Sequence, residues 1–249
     1  MRLTDTVHLV GGGPFSGFGL TSAPDSHVYL VDGGSEIALI DCGLGLSGSF
    51  AELEANIAAA GFDPRDISTV FVTHYHADHA GGVHLARERF DARIAISVDA
   101  AAVIEAGDED ASGLAAARDA GVFPRDATMI PTPVDEQLVD GDELRVGDAR
   151  IQFIATPGHC AGHGSYLLSG VGHDALFAGD AVFWAGRILL QAVPDCDLQA
   201  SHASIGRLAV LEFEAFFPGH GAITVSGGSM HPRMAQAEID KLAIPKSIV

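Results

Sequence analysis

The chain has 249 residues, 47% of them hydrophobic, with 33 acidic residues against 14 basic ones and a formal net charge of −19. That length can bury a substantial core, yet no apolar stretch approaches the ~20 residues that a membrane-crossing helix needs. The acidic excess repels polyanions at long range, so neither nucleic acid nor a membrane is the expected partner, and three widely spaced cysteines, Cys42, Cys160 and Cys196, make no disulfide framework.

In chain order, residues 1–5 (MRLTD) lead into no continuous apolar run of the secretory kind, so the cytoplasm is the expected location. The segment 11–19, GGGPFSGFG, is glycine-rich but lacks the Gly-Lys-Ser/Thr ending of a phosphate loop. It reads either as a hairpin loop that offers Phe15 and Phe18 to a ligand or as a plain surface turn. Alternating or apolar runs at 27–31, 36–41, 68–72, 93–97, 128–131, 143–146, 150–155, 165–168, 175–178 and 215–217 predict short strands, each stopped by Gly, Pro or Asp. Helical periodicity predicts a helix over 48–60, with Phe50, Leu53, Ile57 and Ala60 on one face and Gly61 as its stop, and further helices over 79–90 and 229–242. Weaker helical patterns lie at 99–106, 111–120 and 198–208. This mixture suits an α+β or layered α/β arrangement, read as one domain over 1–249. The segment 107–126, rich in Asp, Ala and Gly, is either a helical insertion over part of a site or a solvated excursion.

Chemistry concentrates at residues 73–79, THYHADH, directly behind the apolar run 67–72. His74 and His76 are two apart, so on an extended chain they point the same way and can grip one metal. Asp78 and His79 follow within a turn. Imidazole with carboxylate suits zinc, and also iron or manganese. Histidines do cap helices, but four donor side chains in six positions exceed what capping explains. Three later strands end in donors too: 151–155 in the loop carrying His159, 176–178 in Gly179-Asp180, and 216–217 in Pro218-Gly219-His220. Each alone is an ordinary turn.

Taken together, the order HxHxDH, His, Asp, His, preceded by Asp41-Cys42-Gly43, resembles the metallo-β-lactamase-fold hydrolase superfamily over nearly the whole chain. The resemblance implies an αββα sandwich, two mixed sheets flanked by helices, with two divalent metal ions at one edge between the sheets. It implies His74, His76 and His159 as ligands of the first ion, Asp78, His79 and His220 as ligands of the second, and Asp180 as the carboxylate between them. Asp41 would orient a ligand by hydrogen bond. Zinc is the expected metal, with iron or manganese as alternatives. Two such ions lower the pKa of a shared water from about 16 towards about 7, and Asp78 and Asp180 would orient this bridging hydroxide and relay a proton.

The fold does not fix the substrate. A small carboxylic ester, thioester or lactone is the expected small-molecule substrate, as in glyoxalase II-like and lactonase-like members. The C-terminal basic cluster expected for glutathione is absent, since Arg233, Lys241 and Lys246 are scattered. Phosphodiesterase or β-lactamase action on the same site, and iron-dependent oxygen or sulfur redox chemistry, are the alternatives. His163 reads as a structural hydrogen-bonder and Cys160 as a small buried side chain. Tyr75, Phe183 and Trp184 are candidate pocket contacts, each equally readable as packing. A homodimer is compatible with the sequence, which leaves the oligomeric state open.

Overall fold

The computed structural model describes residues 1–190 and 195–248, the side chain of Phe15 excepted. Strands β1 (Val7–Gly11), β2 (Val28–Asp32) and β3 (Ile37–Ile40) lead into helix α1 (Ser47–Ala59). Then come β4 (Ile67–Phe71), the one-turn α2 (Ala77–Ala80), α3 (Val83–Phe90), β5 (Arg93–Ser97), α4 (Val98–Ala106), α5 (Leu114–Asp119) and β6 (Glu136–Leu138). The second half holds β7 (Glu143–Val146), β8 (Ala149–Ala155), β9 (Gly164–Ser169), β10 (Ala175–Gly179), α6 (Leu198–Ala209), β11 (Ala215–Pro218) and α7 (Met230–Ile239).

Two mixed sheets result, as expected. The first is six-stranded in the order β1-β2-β3-β4-β5-β6, and the second five-stranded in the order β11-β10-β9-β8-β7. The β1/β2 and β2/β3 pairs are antiparallel, whereas β3 to β6 run parallel. In the second sheet only β10/β11 is parallel. Period-two alternation assigns each side chain to a layer. Along β10, Ala175 and Phe177 face the other sheet, with Ile151, Phe153, Tyr166 and Phe217 in the same apolar layer, while Leu176 and Ala178 face outward. Outward residues of the first sheet, such as Leu30, Leu39 and Ile94, pack on Phe50, Leu53 and Ile57 of α1 and on Val83 and Phe90 of α3. Their counterparts on the second sheet pack on Ile205 and Leu208 of α6 and Ala235 of α7. Helices thus cover both outer faces, giving the αββα order, and each fully buried Leu or Phe contributes about 1.5–3 kcal/mol. Among the described residues no helix is long and apolar enough to cross a membrane.

Three local expectations change. The run 128–131 forms no strand; Pro131 and Pro133 offer no N–H to a ladder, and β6, which begins at Glu136, pairs with β5 instead. Val7–Gly11, not expected as a strand, pairs with β2 and is buried throughout. The single helix expected over 79–90 is two, broken at Gly81-Gly82, where the chain comes so close to the backbone carbonyls of Leu44 and Cys42 that a Cβ at either glycine would collide. That break lets α2 turn independently of α3 and aim Asp78 and His79 at the sheet edge.

Candidate metal centre

Four loops meet at one edge of the sandwich, each following a strand. The loop after β4 carries Thr73 to His79, that after β8 carries His159 and His163, that after β10 carries Asp180, and that after β11 carries Gly219 and His220. Cross-sheet hydrogen bonds fix their meeting point: Gly164 N–H donates to Thr73 O at 2.8 Å, and the Tyr166 hydroxyl donates to Val72 O at 2.8 Å. Gly219 N–H donates to Gly179 O at 2.8 Å, so the parallel ends of β10 and β11 stay in step. A Cβ at Gly219 would run into the Asp180 carboxylate and the His79 ring, so only glycine lets this loop approach.

The donor atoms fall into two triads. In the first, His76 Nδ1 lies 3.1 Å from His74 Nε2 and 2.8 Å from His159 Nε2. In the second, His220 Nε2 lies 3.2 Å from Asp78 Oδ2 and 3.3 Å from His79 Nε2. Asp180 spans both, with Oδ2 3.6 Å from His159 Nε2 and 3.5 Å from His220 Nε2, and Oδ1 3.5 Å from His79 Nε2. Donors around a tetrahedral zinc ion stand about 3.4 Å apart, close to these separations. Two further observations fit a cation. Asp180 Oδ1 is buried with no hydrogen-bond partner, and among the described residues the ion pairs of Asp41, Asp78 and Asp180 are made with histidine alone, never Lys or Arg.

Supporting hydrogen bonds set how the rings are turned. His79 Nδ1 donates to Asp41 Oδ2 at 2.8 Å, which turns Nε2 towards the triad. Asp41 itself accepts from Thr73 N–H at 2.7 Å and from the Thr73 hydroxyl at 2.9 Å, and it sits at φ 60, a left-handed conformation uncommon for a non-glycine residue. His74 Nδ1 lies 3.0 Å from Thr73 Oγ1, and His220 Nδ1 lies 3.3 Å from Ser16 Oγ. On the far side of His76, Nε2 faces Asp195 Oδ2 at 3.5 Å, and the same carboxylate accepts from the Tyr75 hydroxyl at 2.9 Å. His163 is buried beside the site as a structural hydrogen-bonder, its Nε2 accepting from Asp180 N–H at 2.9 Å and its Nδ1 meeting Thr156 Oγ1 at 2.8 Å. Cys160 is fully buried, and that burial pushes its thiol pKa up.

Charge divides the two triads. Burial and the neighbouring imidazoles hold His74 well below its ordinary pKa, and burial with His76 lowers His159 to about 3. Burial would also lower His79 and His220, but the surrounding carboxylates, Asp180 foremost, raise both. For Asp78, burial pushes upward and is outweighed by His79 and His220, which bring it to about 2. Asp180, under the same opposition, lies well below the carboxylate range.

A cavity of about 640 Å³ opens above the donors, and His76, Asp78, His159, Asp180 and His220 form its floor. Tyr75 and Asp195 also line it, and one wall comes from the segment 110–123. The 107–126 excursion therefore lies beside the donors as a covering insertion. Phe18, Phe183 and Trp184 do not line the cavity. Phe18 packs at 5.3 Å on the ring of His27, Phe183 is buried with its ring 6.4 Å from that of His220, and Trp184 is half exposed against His231. The Phe15 side chain lies outside the described residues; the glycine-rich loop reaches the donors through Ser16. Sequence reasoning missed Ser16, Thr73 and Asp195. Thr73, inside the motif and next to His74, was the one with a local signal.

The fold and these donors together define a metallohydrolase-type αββα protein. Residues 23–220 match the family model described as the metallo-beta-lactamase superfamily, and the chain belongs to that superfamily of metal-dependent hydrolases. It is 29% identical over 242 residues to an atrochrysone carboxyl ACP thioesterase of Aspergillus fumigatus, covering 94% of this chain and 60% of that protein. It is 32% identical over 203 residues to a hydroxyacylglutathione hydrolase of Acidiphilium cryptum, covering 80% and 66%. The chain thus spans less than two thirds of these relatives' own length. A subclass B3 metallo-beta-lactamase of Bradyrhizobium japonicum shares the fold, with a TM-score of 0.72 at 19% identity over 97% of this chain and 91% of that one.

Proposed function

We propose that the chain is a dinuclear metal-dependent hydrolase, zinc being the metal its borderline nitrogen and oxygen donors suit best, acting on a small uncharged carboxylic ester, thioester or lactone. His74, His76 and His159 would hold one ion and Asp78, His79 and His220 the other, with Asp180 beside both triads. The observation that carries this reading is the Asp180 carboxylate, buried, with one oxygen lacking a hydrogen-bond partner and placed between two donor triads. Residues 1–249 act as one domain around it.

When bound, two such ions supply Lewis acidity and bring the pKa of water towards about 7. The protein supplies placement. Asp78 lines the cavity and stays anionic at neutral pH, so it accepts a hydrogen bond from the attacking water and orients it. Asp41 and Asp195 hold the rings of His79 and His76 in the tautomers that leave the facing nitrogens bare. The reaction adds water across the acyl bond and releases a carboxylic acid with an alcohol or thiol. Support for an acyl substrate comes from the cavity, where no Lys or Arg among the described residues lines the walls to receive a phosphodiester, and from the hydrolase and thioesterase names of the two relatives.

Metal analysis tests the centre: about two zinc ions per chain is the expected result, iron near one per chain would favour redox chemistry, and no metal would sink the proposal. A panel of thioester, lactone, β-lactam and phosphodiester substrates, run on wild type and His76→Ala, tests the reaction. Full activity in the variant would overturn the site assignment.

A further inference from the structure

The wall made by residues 110–123 has a composition of its own. Ala116, Ala117, Val122 and Phe123 present small or apolar groups to the cavity, with Ser112 among them. Ser112 is 1% exposed, and its hydroxyl has no hydrogen-bond partner. Buried hydroxyls without a partner are uncommon and energetically costly, and local secondary structure does not explain this one. The Ser112 backbone is fully used, its N–H donating to Asp108 O at 3.0 Å and its carbonyl accepting from Ala77 N–H at 3.2 Å. That second bond ties the wall to the helix carrying Asp78 and His79. A Cβ built on neighbouring Gly113 would stand 3.9 Å from His76 Cδ2, so Ser112 sits within one residue of the floor.

The wall is held firmly. Leu114 is fully buried, Arg118 pairs with Glu109 and donates to Ala127 O at 2.8 Å, and Asp108 Oδ1 accepts from Asp110 and Ala111 N–H at 3.0 Å each. Carboxylates of Asp110 and Asp195 line the same cavity, with no Lys or Arg among the described residues to offset them. Away from the donors, these walls offer no cation to an anionic acyl group and present hydrocarbon instead.

We propose that Ser112 is a substrate-binding residue. A turn about its Cα–Cβ bond directs the hydroxyl into the cavity, where it donates to an acceptor oxygen within the acyl part of an uncharged substrate. The hydrocarbon of that acyl group lies on Ala116, Ala117, Val122 and Phe123. This inference rests on the hydrolase reading above and names the acyl class it takes.

The test compares kcat/KM for three p-nitrophenyl esters of equal acyl length: a plain chain, one with a ketone oxygen within the chain, and one ending in a carboxylate. Wild type is expected to favour the ketone over the plain ester by about tenfold, the scale of one hydrogen bond, and to handle the carboxylate ester worst. In Ser112→Ala the ketone preference should collapse towards one, and in Ser112→Thr, which keeps the donor, it should persist. Metal content and melting temperature establish that each variant is folded. Ala117→Phe gives an independent arm, raising KM more for an octanoyl than for an acetyl ester. An undiminished ketone preference in Ser112→Ala, a wild-type preference for the carboxylate ester, or an equal KM change for both esters in Ala117→Phe would overturn the inference while leaving the hydrolase reading intact. Absence of turnover on every ester by metal-loaded wild type would sink both.

Discussion

The two donor triads are built from opposite electrostatics. In the triad of His74, His76 and His159, burial and neighbouring imidazoles lower the pKa of His74 and His159, so these two rings are neutral without a cation. Asp78, His79 and His220 sit among carboxylates that raise the histidine pKa values, so without a cation this triad keeps protons in its place. Asp180 belongs to both regimes. The difference teaches that a cation at the second triad would have to displace protons that His74 and His159 of the first do not hold.

Asp180→Asn should have the largest effect, because it removes charge from both triads at once. We expect kcat/KM to fall about 10³-fold, the scale of losing several kcal/mol of electrostatic stabilisation, with metal content dropping below two per chain; retention of both ions and of activity would break the comparison. Asp41→Asn should act chiefly on the second triad, which it touches directly through His79, weakening one of the two ions by about 10–100-fold in a chelator titration. Equal weakening of both ions would contradict the assignment. Asp195→Asn, acting on His76 through a longer and more exposed contact, should weaken the other ion by about tenfold or less, and loss of the same ion as in Asp41→Asn would show that the triads are not separable.

The smallest effect concerns pH in chelated protein. His74, His159, His163 and His27 have folded pKa values below their ordinary one, the last at about 4. As pH falls below about 6.5 the unfolded chain takes up protons that the native state refuses, so stability drops from there towards pH 4. His79 and His220, with raised values, act the other way: their contribution is complete below about 6.5 and fades as pH rises through their folded values. Melting temperature should therefore peak near pH 6.5 and change by about 2–4 °C for each kcal/mol lost. A monotonic rise from pH 5 to 9 would show that the second triad holds no extra protons.

How much of this was legible in the sequence depended on whether a residue's signal was local. HxHxDH packs its donors into six positions, and at or within a few residues of the ends of β8, β10 and β11 a glycine or proline precedes a donor, so the candidate constellation could be proposed from sequence. Asp195 carries no pattern around it and meets Tyr75 from 120 residues away; only the folded chain makes it a partner. The same limit explains β6, three residues with a charge at one end, whose pairing depends on β5 rather than on its own alternation. The candidate aromatics, readable either as pocket contacts or as packing, show the reverse. Trp184 and Phe183 are conspicuous by type, yet Trp184 packs on His231 and Phe183 against His220, while Ala116, Ala117 and Ser112, too ordinary to attract notice, face the cavity.

The meeting of four strand ends has a kinetic side. His79 and His220 are 141 residues apart in the chain, and their loops converge only once both sheets have formed and docked. Contacts of such sequence separation close late, because their loop entropy must be overcome first. A refolding chain should therefore gain its strands and helices before it can hold a second ion, which makes metal uptake, followed by a colorimetric indicator, a clock for the final docking of the two halves.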